Sequence, residues 1–241
     1  MKKYTTQTEP KHILKMKKIR ISFFLLVLFC AHSALYSQNS VQVEIYPRQK
    51  VILSYEKFDM NAFRNQVAQS GSLDYVYTEA DGTQKRISNL RKGLPIEVYE
   101  VPPLPAVYRI FKEFYPSGNL KRKGIYLPHQ FPIGKWLECD ERGNCSVINY
   151  DLYRGAFGYN SLLKTLEDKG YINTLAGSQN WSFIVWYNDN SHQWGIKLQK
   201  GSKYKMLQID ANSGDILSEA EHEVKPINTS VYGDYNAFGD Y

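Results

Sequence analysis

The chain has 241 residues, 43% hydrophobic and 22% charged, with 30 Lys/Arg against 24 Asp/Glu. Its length accommodates one or two domains at about 100–200 residues each. Seven of the bases and one of the acids fall in residues 1–37, leaving 23 of each beyond, and a near-neutral remainder argues against nucleic acid as a partner, because that affinity rests on clustered cations.

Lys17, Lys18 and Arg20 precede the apolar run 21–31, which is followed by small residues and a polar SQNS. That is the order of a signal peptide, with Leu35 and Ser37 at the −3 and −1 places of the cleavage site. The run falls short of the ~20 residues needed to cross a bilayer, so a retained anchor is the weaker alternative and no integral membrane segment is expected after cleavage. Bulky Phe29 makes Cys30 a poor lipoprotein acceptor, and residues 1–15 read as an over-extended start ahead of Met16. Export to the periplasm or beyond places Cys139 and Cys145 in an oxidising compartment that favours pairing them.

Residues 42–53 alternate apolar and polar side chains and read as a strand. The Asp59 carboxylate suits the N-cap of a short helix over 61–66, where it accepts from first-turn amides. Residues 73–87 hold two strands around Asp81-Gly82, a hairpin dipeptide that tolerates positive φ. Pro95, Pro102, Pro103 and Pro105 punctuate residues 93–111; proline has no amide donor, so a linker or edge is expected there and a central strand excluded.

An echo follows. EFYPSGNLKRKG (113–124) and ECDERGNCSV (138–147) match at Glu113/Glu138, Gly118/Gly143, Asn119/Asn144 and Leu120/Cys145. Each unit is a hairpin, with Gly118 or Gly143 in the left-handed position of its loop. One hairpin cannot bury its own face, whereas neighbouring hairpins can stack into a ribbon. Lys121, Arg122 and Lys123 are read as a solvated strand or turn. If Asp140 and Asn144 close the second loop, Cys139 and Cys145 lie opposite one another at ~4.5 Å between Cα atoms, within the ~4.4–6.8 Å that a disulfide spans. The alternative is two reduced thiols filling core positions like those of Phe114 and Leu120. Zinc is not expected, since His129, His192 and His222 show no metal-ligand spacing near either cysteine.

Within 111–152, YPSGNLKRKGIY and GKWLECDERGNCSVINYD resemble the variant MORN repeats of toxin–antitoxin-type antitoxins. Gly134-Lys135-Trp136, Gly118-Asn119 and Gly143-Asn144 carry the likeness. The chain departs from that pattern at Cys139, where an aromatic is expected, and at Cys145, where Leu is expected; it also has fewer units than that family's arrays. The resemblance implies an interaction scaffold with no catalytic residues, and Trp136 and Tyr115 are placed with its partner surface.

Residues 161–169 form a helix with Leu162, Leu163 and Leu166 on one side and Gly170 as its stop. Strands are expected at 181–187, 194–198 and 203–210, with a last strand after the turn in IDANSGDIL. A helix followed by an antiparallel sheet is an α+β layer pair. The predicted fold class is therefore α+β, mainly antiparallel β: a stacked β-hairpin ribbon, then a helix packed on a small antiparallel sheet. Residues 155–221, ending in YKMLQIDANSGDIL, resemble a PepSY-like domain, which implies extracytoplasmic binding and inhibition of peptidases. The order of regions is similar to that in exported proteins of Bacteroidetes-type bacteria. The divisions are 1–37 (signal peptide), 38–105, 106–152, 153–224 and a Gly/Asp/Asn/Tyr-rich tail, 225–241, whose composition predicts mobility.

No Gly-x-Ser-x-Gly elbow, His-Glu-x-x-His helix or phosphate-cradling glycine loop occurs. Asp140/Glu141 and Glu219/Glu221 lie at turns or a strand end and read as solvated acids. Asp210 is either a ligand-holding acid or, more simply, a turn carboxylate facing Gly214. The expected function is an exported, non-catalytic binding module of inhibitor or immunity type, without metal or cofactor. Its expected partner is a protein in the cell envelope or outside the cell. The alternative is an envelope-associated enzyme or factor whose site the sequence hides. On strand 181–187, Trp181, Phe183, Val185 and Tyr187 share one face and Ser182, Ile184 and Trp186 the other. The first face is expected to meet the helix leucines. Trp186, beside Ile184, is then either covered by the chain's own hairpin ribbon or anchors a partner.

Overall fold

The computed structural model describes residues 40–63, 74–89, 93–174 and 182–223. The chain divides into two units, 1–39 and 40–241, and all described residues belong to the second. Residues 1–37, expected as a signal peptide, the expected tail 225–241 and Trp181 lie outside the described residues.

Strands β1 (Ser40–Ile45) and β2 (Gln49–Ser54) pair as an antiparallel hairpin. The alternating stretch expected as one strand is thus two. Pro47 sets the turn, and the Arg48 amide donates back to the Ile45 carbonyl at 3.0 Å. Val43, Ile45 and Leu53 are the buried residues of the pair. Beyond β2, the Phe58 amide donates to the Gly118 carbonyl at 2.8 Å, tying the segment to the first echo loop. Asp59 Oδ1 accepts from the Asn61 and Ala62 amides at 3.0 and 3.1 Å, as an N-cap does. The helical turn is described as far as Phe63; its expected continuation to Gln66 lies outside the described residues.

Seven strands form one antiparallel sheet in chain order: β3 (Tyr75–Thr78), β4 (Gln84–Ser88), β5 (Ile96–Val101), β6 (Arg109–Phe114), β7 (Leu120–Leu127), β8 (Phe131–Cys139) and β9 (Cys145–Asn149). Here the proline reading is corrected. β5 is central, paired with β4 and β6, because Pro95 precedes it and Pro102, Pro103 and Pro105 follow it. Every residue from Ile96 to Val101 keeps its amide, so the prolines delimit a strand rather than prevent one. Strands of the one sheet therefore lie on both sides of position 105.

The two echo units are adjacent hairpins, β6–β7 and β8–β9, joined because β7 also pairs with β8. Their loops are alike. The Tyr115 amide donates to the Asn119 carbonyl at 2.8 Å and the Asp140 amide to the Asn144 carbonyl at 2.9 Å, with Gly118 and Gly143 at φ 86° and 88°. A side chain would be strained at either glycine, which is why the same dipeptide recurs. Cys139 and Cys145 are directly opposed and joined, with S–S 2.05 Å and Cα–Cα 4.0 Å. Thiol labelling of unreduced, denatured protein is therefore expected to leave both unlabelled. Reduction should cost about 2 kcal/mol, the small value set by so short a loop; labelling of both would refute the bridge.

Opposed residues share a face of the sheet. On the core face, Lys112 lies between Ile110 and Phe114, and Lys123 between Leu120 and Ile125. Each lysine is flanked by members of two different hydrophobic clusters. The seam between the clusters is an alternating ion ladder: Glu79–Lys85 2.8 Å, Lys85–Glu100 3.0 Å, Glu100–Lys112 2.7 Å, Lys112–Glu56 3.0 Å and Glu56–Lys123 2.8 Å. This corrects the reading of 121–123 as wholly solvated. The side chains of Lys121 and Arg122 are 40% and 38% exposed, but that of Lys123 is 8% exposed and points into the seam.

Helix α1 (Tyr159–Asp168) buries Leu162, Leu163 and Leu166, and Gly170, at φ 74°, donates to the Glu167 carbonyl at 2.7 Å as its stop. The C-terminal sheet is β10 (Ser182–Asn188), β11 (Gln193–Lys200), β12 (Lys203–Asp210) and β13 (Ile216–Glu223), antiparallel in that order. The helix leucines share one hydrophobic cluster with Phe183, Val185, Ile196, Leu198, Leu207 and Ile209. The described chain is mainly antiparallel β with few helices. No helix among the described residues is long and apolar enough to cross a membrane.

Candidate binding surfaces

The other face of the large sheet carries a row of rings. Tyr99–Phe111, Phe111–Tyr126, Tyr126–Trp136 and Trp136–Tyr150 have centroids 5.0, 5.4, 4.8 and 5.2 Å apart. Trp136 lies flat on Gly124, where a Cβ would meet its ring at 1.8 Å. A bulge in the β7–β8 register makes this possible. Gly134, at φ 67°, sits in that bulge and its amide donates to Asp151 Oδ2 at 2.8 Å. Burial pushes the Asp151 carboxyl up, against the opposing pull of Arg154 and the Gly134 amide. The Trp136 indole donates to the Ile133 carbonyl at 3.1 Å and is 1% exposed. Its place is inside the ring row, where it presents no surface of its own. Burial, then the neighbouring Glu97, pushes the Tyr99 phenol up to about 12.

At the hairpin tips an open groove of about 620 Å³ is lined by Tyr115, Lys121, Arg122, Glu138 and the disulfide. Tyr115 donates its hydroxyl to the Cys139 carbonyl at 3.0 Å. Lys121 and Arg122 are paired to Glu113, at 2.9 and 2.5 Å. Asp140, also at the groove, accepts from the Asn144 side chain and from the Asn144 and Arg142 amides, which hold its carboxyl below the ordinary range. Asp210 is held low in the same manner, accepting from the Ser213 and Asn212 amides at 2.8 Å each. Both carboxylates are engaged with the turns they close.

On the C-terminal sheet, Phe183 and Val185 are buried with the helix leucines, and Ile184 and Trp186 lie on the opposite face. Trp186 is opposed by Gly195, where a Cβ would meet the indole at 2.0 Å. The glycine lets the ring lie down over β11. Trp186 remains 37% exposed. Lys197 opposes both Ile184 and Met206, and its ammonium sits 5.1 Å from the Tyr204 ring centroid; Tyr204 in turn stacks on His222 at 4.9 Å. The result is an open strip of half-buried apolar and aromatic groups crossing the sheet.

Of the candidate site residues, the structure brings Trp186 and Ile184 together on this strip. Trp136 and Tyr115 lie on the large sheet, one in its interior and one at the groove. Met206, Tyr204 and Lys197 were not singled out in the sequence, although the alternation of YKMLQID already sets Tyr204 and Met206 on one face. Among the described residues no cluster of three or more His, Cys, Asp or Glu is arranged to hold a metal ion. No family model matches the chain, and no curated protein or solved structure matches it either.

Proposed function

We propose that the chain is an exported, non-catalytic binding module in which a MORN-like hairpin ribbon and a PepSY-like, helix-backed sheet present the strip around Trp186 to a protein of the cell envelope or the extracellular space. The observation that carries this reading is Trp186 itself: a large indole, laid over a glycine and left 37% exposed beside Ile184. An aromatic anchor of this kind, with a charged neighbour in Lys197, suits a partner surface that offers an apolar pocket. The disulfide supports the export part of the reading, since such bonds persist in oxidising compartments. An inhibitor or immunity role follows from the two resemblances and no reaction is assigned to the chain.

Trp186→Ala tests the proposal. Because the ring is partly solvated, its loss should shift the melting temperature by no more than a few degrees, on the scale of about 1 kcal/mol. Recovery of the envelope partner by the immobilised protein should be lost. A large drop in melting temperature with capture intact would make Trp186 a core residue and remove the site.

A further inference from the structure

β9 is the last strand of the large sheet, with only β8 beside it among the described residues. Its five residues, CSVIN, contain no charge and no proline. Val147 and Ile148 point to opposite sides of the sheet and are 47% and 37% exposed, and the chain continues into exposed Leu152 and Tyr153. Edge strands are ordinarily blunted by lysine, proline or a covering loop. None of these protects β9 among the described residues.

The hairpin register settles which backbone groups face outward. Asp140 and Asn144 exchange the loop-closing bond, and the Tyr150 amide donates to the Gly134 carbonyl at 3.0 Å. Hydrogen-bonded and non-hydrogen-bonded pairs alternate along an antiparallel ladder, so Ser146 and Ile148 bond to β8, while Cys145, Val147 and Asn149 turn their N–H and C=O groups away from it. The disulfide fixes one end of this edge and the Tyr150–Gly134 bond the other, so little ordering remains to be done on pairing.

We infer that the β9 edge is a docking surface for a second copy of this chain, the two β9 strands pairing antiparallel about a twofold axis through Val147. That register sets Val147 against its symmetry mate and Cys145 against Asn149. Each is a hydrogen-bonded pair, giving about six new backbone bonds. Ser146 then faces Ile148, and the Val147 side chains meet across the axis on the opposite side of the sheet. The strand's neutrality selects this occupant, because self-pairing brings no like charges together. The other edges of the four- and seven-stranded sheets are less suited. β13 carries Glu219, Glu221 and Glu223 and would repel its own copy. β10 runs beside the turn Pro128–Gln130 of the large sheet, and β3 has four residues next to the Asp74–Arg86 ion pair. A twofold interface also closes on itself, which gives a dimer rather than a fibre.

The test combines sedimentation with amide hydrogen exchange on the full chain as purified from the producing cells. A concentration-dependent dimer is expected. On dimerisation the Cys145, Val147 and Asn149 amides should slow by ~10-fold or more, while Ser146 and Ile148, already bonded to β8, change little. Val147→Lys, which puts two ammonium groups at the axis, should yield a monomer whose melting temperature matches that of the wild type diluted below dimerisation; Ile148→Lys gives the same test from the other side of the sheet if the first variant fails to fold. A wild-type chain that stays monomeric at hundreds of micromolar overturns the inference. So does a dimer whose three alternate amides are unprotected, or one that persists in a folded lysine variant.

Discussion

Replacing Lys112 with methionine is expected to destabilise the protein by about 3–5 kcal/mol at neutral pH, the usual consequence of removing one partner from a buried charge cluster. Lys112 is the middle rung of the seam, 2.7 Å from Glu100 and 3.0 Å from Glu56. Methionine fills the space of its aliphatic stem, so the loss isolates the charge. Three carboxylates would then face two ammonium groups between two apolar clusters. The pH dependence identifies the cause. Burial pushes the Glu56 carboxyl up, but Lys112 and Lys123 more than offset it and hold its pKa below the ordinary 4.5. A depressed folded pKa stabilises above the unfolded value and is lost as pH falls through the folded one, so the wild type should weaken below about pH 4.5. At the other end of the ladder, burial pushes the Lys85 ammonium down, whereas Glu79 and Glu100 more than compensate and hold it up. Its contribution is present below the ordinary 10.5 and is lost only as pH rises beyond it. In Lys112→Met, Glu56 keeps Lys123 but loses the other of the two cations that hold its pKa low, so it takes up a proton more readily and the deficit against wild type should narrow on acidification. Denaturant midpoints from pH 3 to 8 (about the carboxylate-to-neutral window) measure this. A deficit independent of pH would show that packing, not charge, had been lost.

Gly124→Ala is expected to be the most damaging single-methyl change in the large sheet, at about 3 kcal/mol, the upper end for overpacking. The added Cβ would fall 1.8, 2.0 and 2.4 Å from Cδ2, Cε2 and Cε3 of Trp136. The indole has little room to retreat, being held between Tyr126 and Tyr150 and bonded to the Ile133 carbonyl. Trp136→Leu alone should cost a similar amount through the cavity it leaves. Together the two changes should cost less than their sum by ~1–3 kcal/mol, since the smaller side chain makes room for the methyl. Equilibrium denaturation of the four proteins decides it. Strict additivity would mean that the ring does not rest on Gly124 in solution.

Features set by a few neighbouring residues were legible in the sequence. The two Gly-Asn loops follow from a backbone position that needs positive φ, and the Asp59 and Asp210 turns from a carboxylate within reach of its own chain's amides. The leucine stripe of α1 and the two faces of β10 follow from periods of 3.6 and 2. The opposition of Cys139 and Cys145 follows from counting outward from one closed loop. Features whose partners lie far along the chain were not legible. Lys112 meets Glu56 across 56 positions and Lys123 meets the Ser54 carbonyl across 69. Nothing local distinguishes such lysines from solvated ones, because burying a charge is favourable only where an opposite charge is already held. The central place of β5 depended on the arrival of β4 and β6 on either side. The burial of Trp136 depended on Gly124 lying beneath it, and the 37% exposure of Trp186 on how far other segments reach over it. The sequence by itself determined the hairpins, the turns and the helix stripe, since short-range sterics and hydrogen bonding act between near neighbours. Tertiary structure alone decided which lysines lie buried, which tryptophan faces outward and which strand is left at the edge, because each depends on what distant segments bring to the same place.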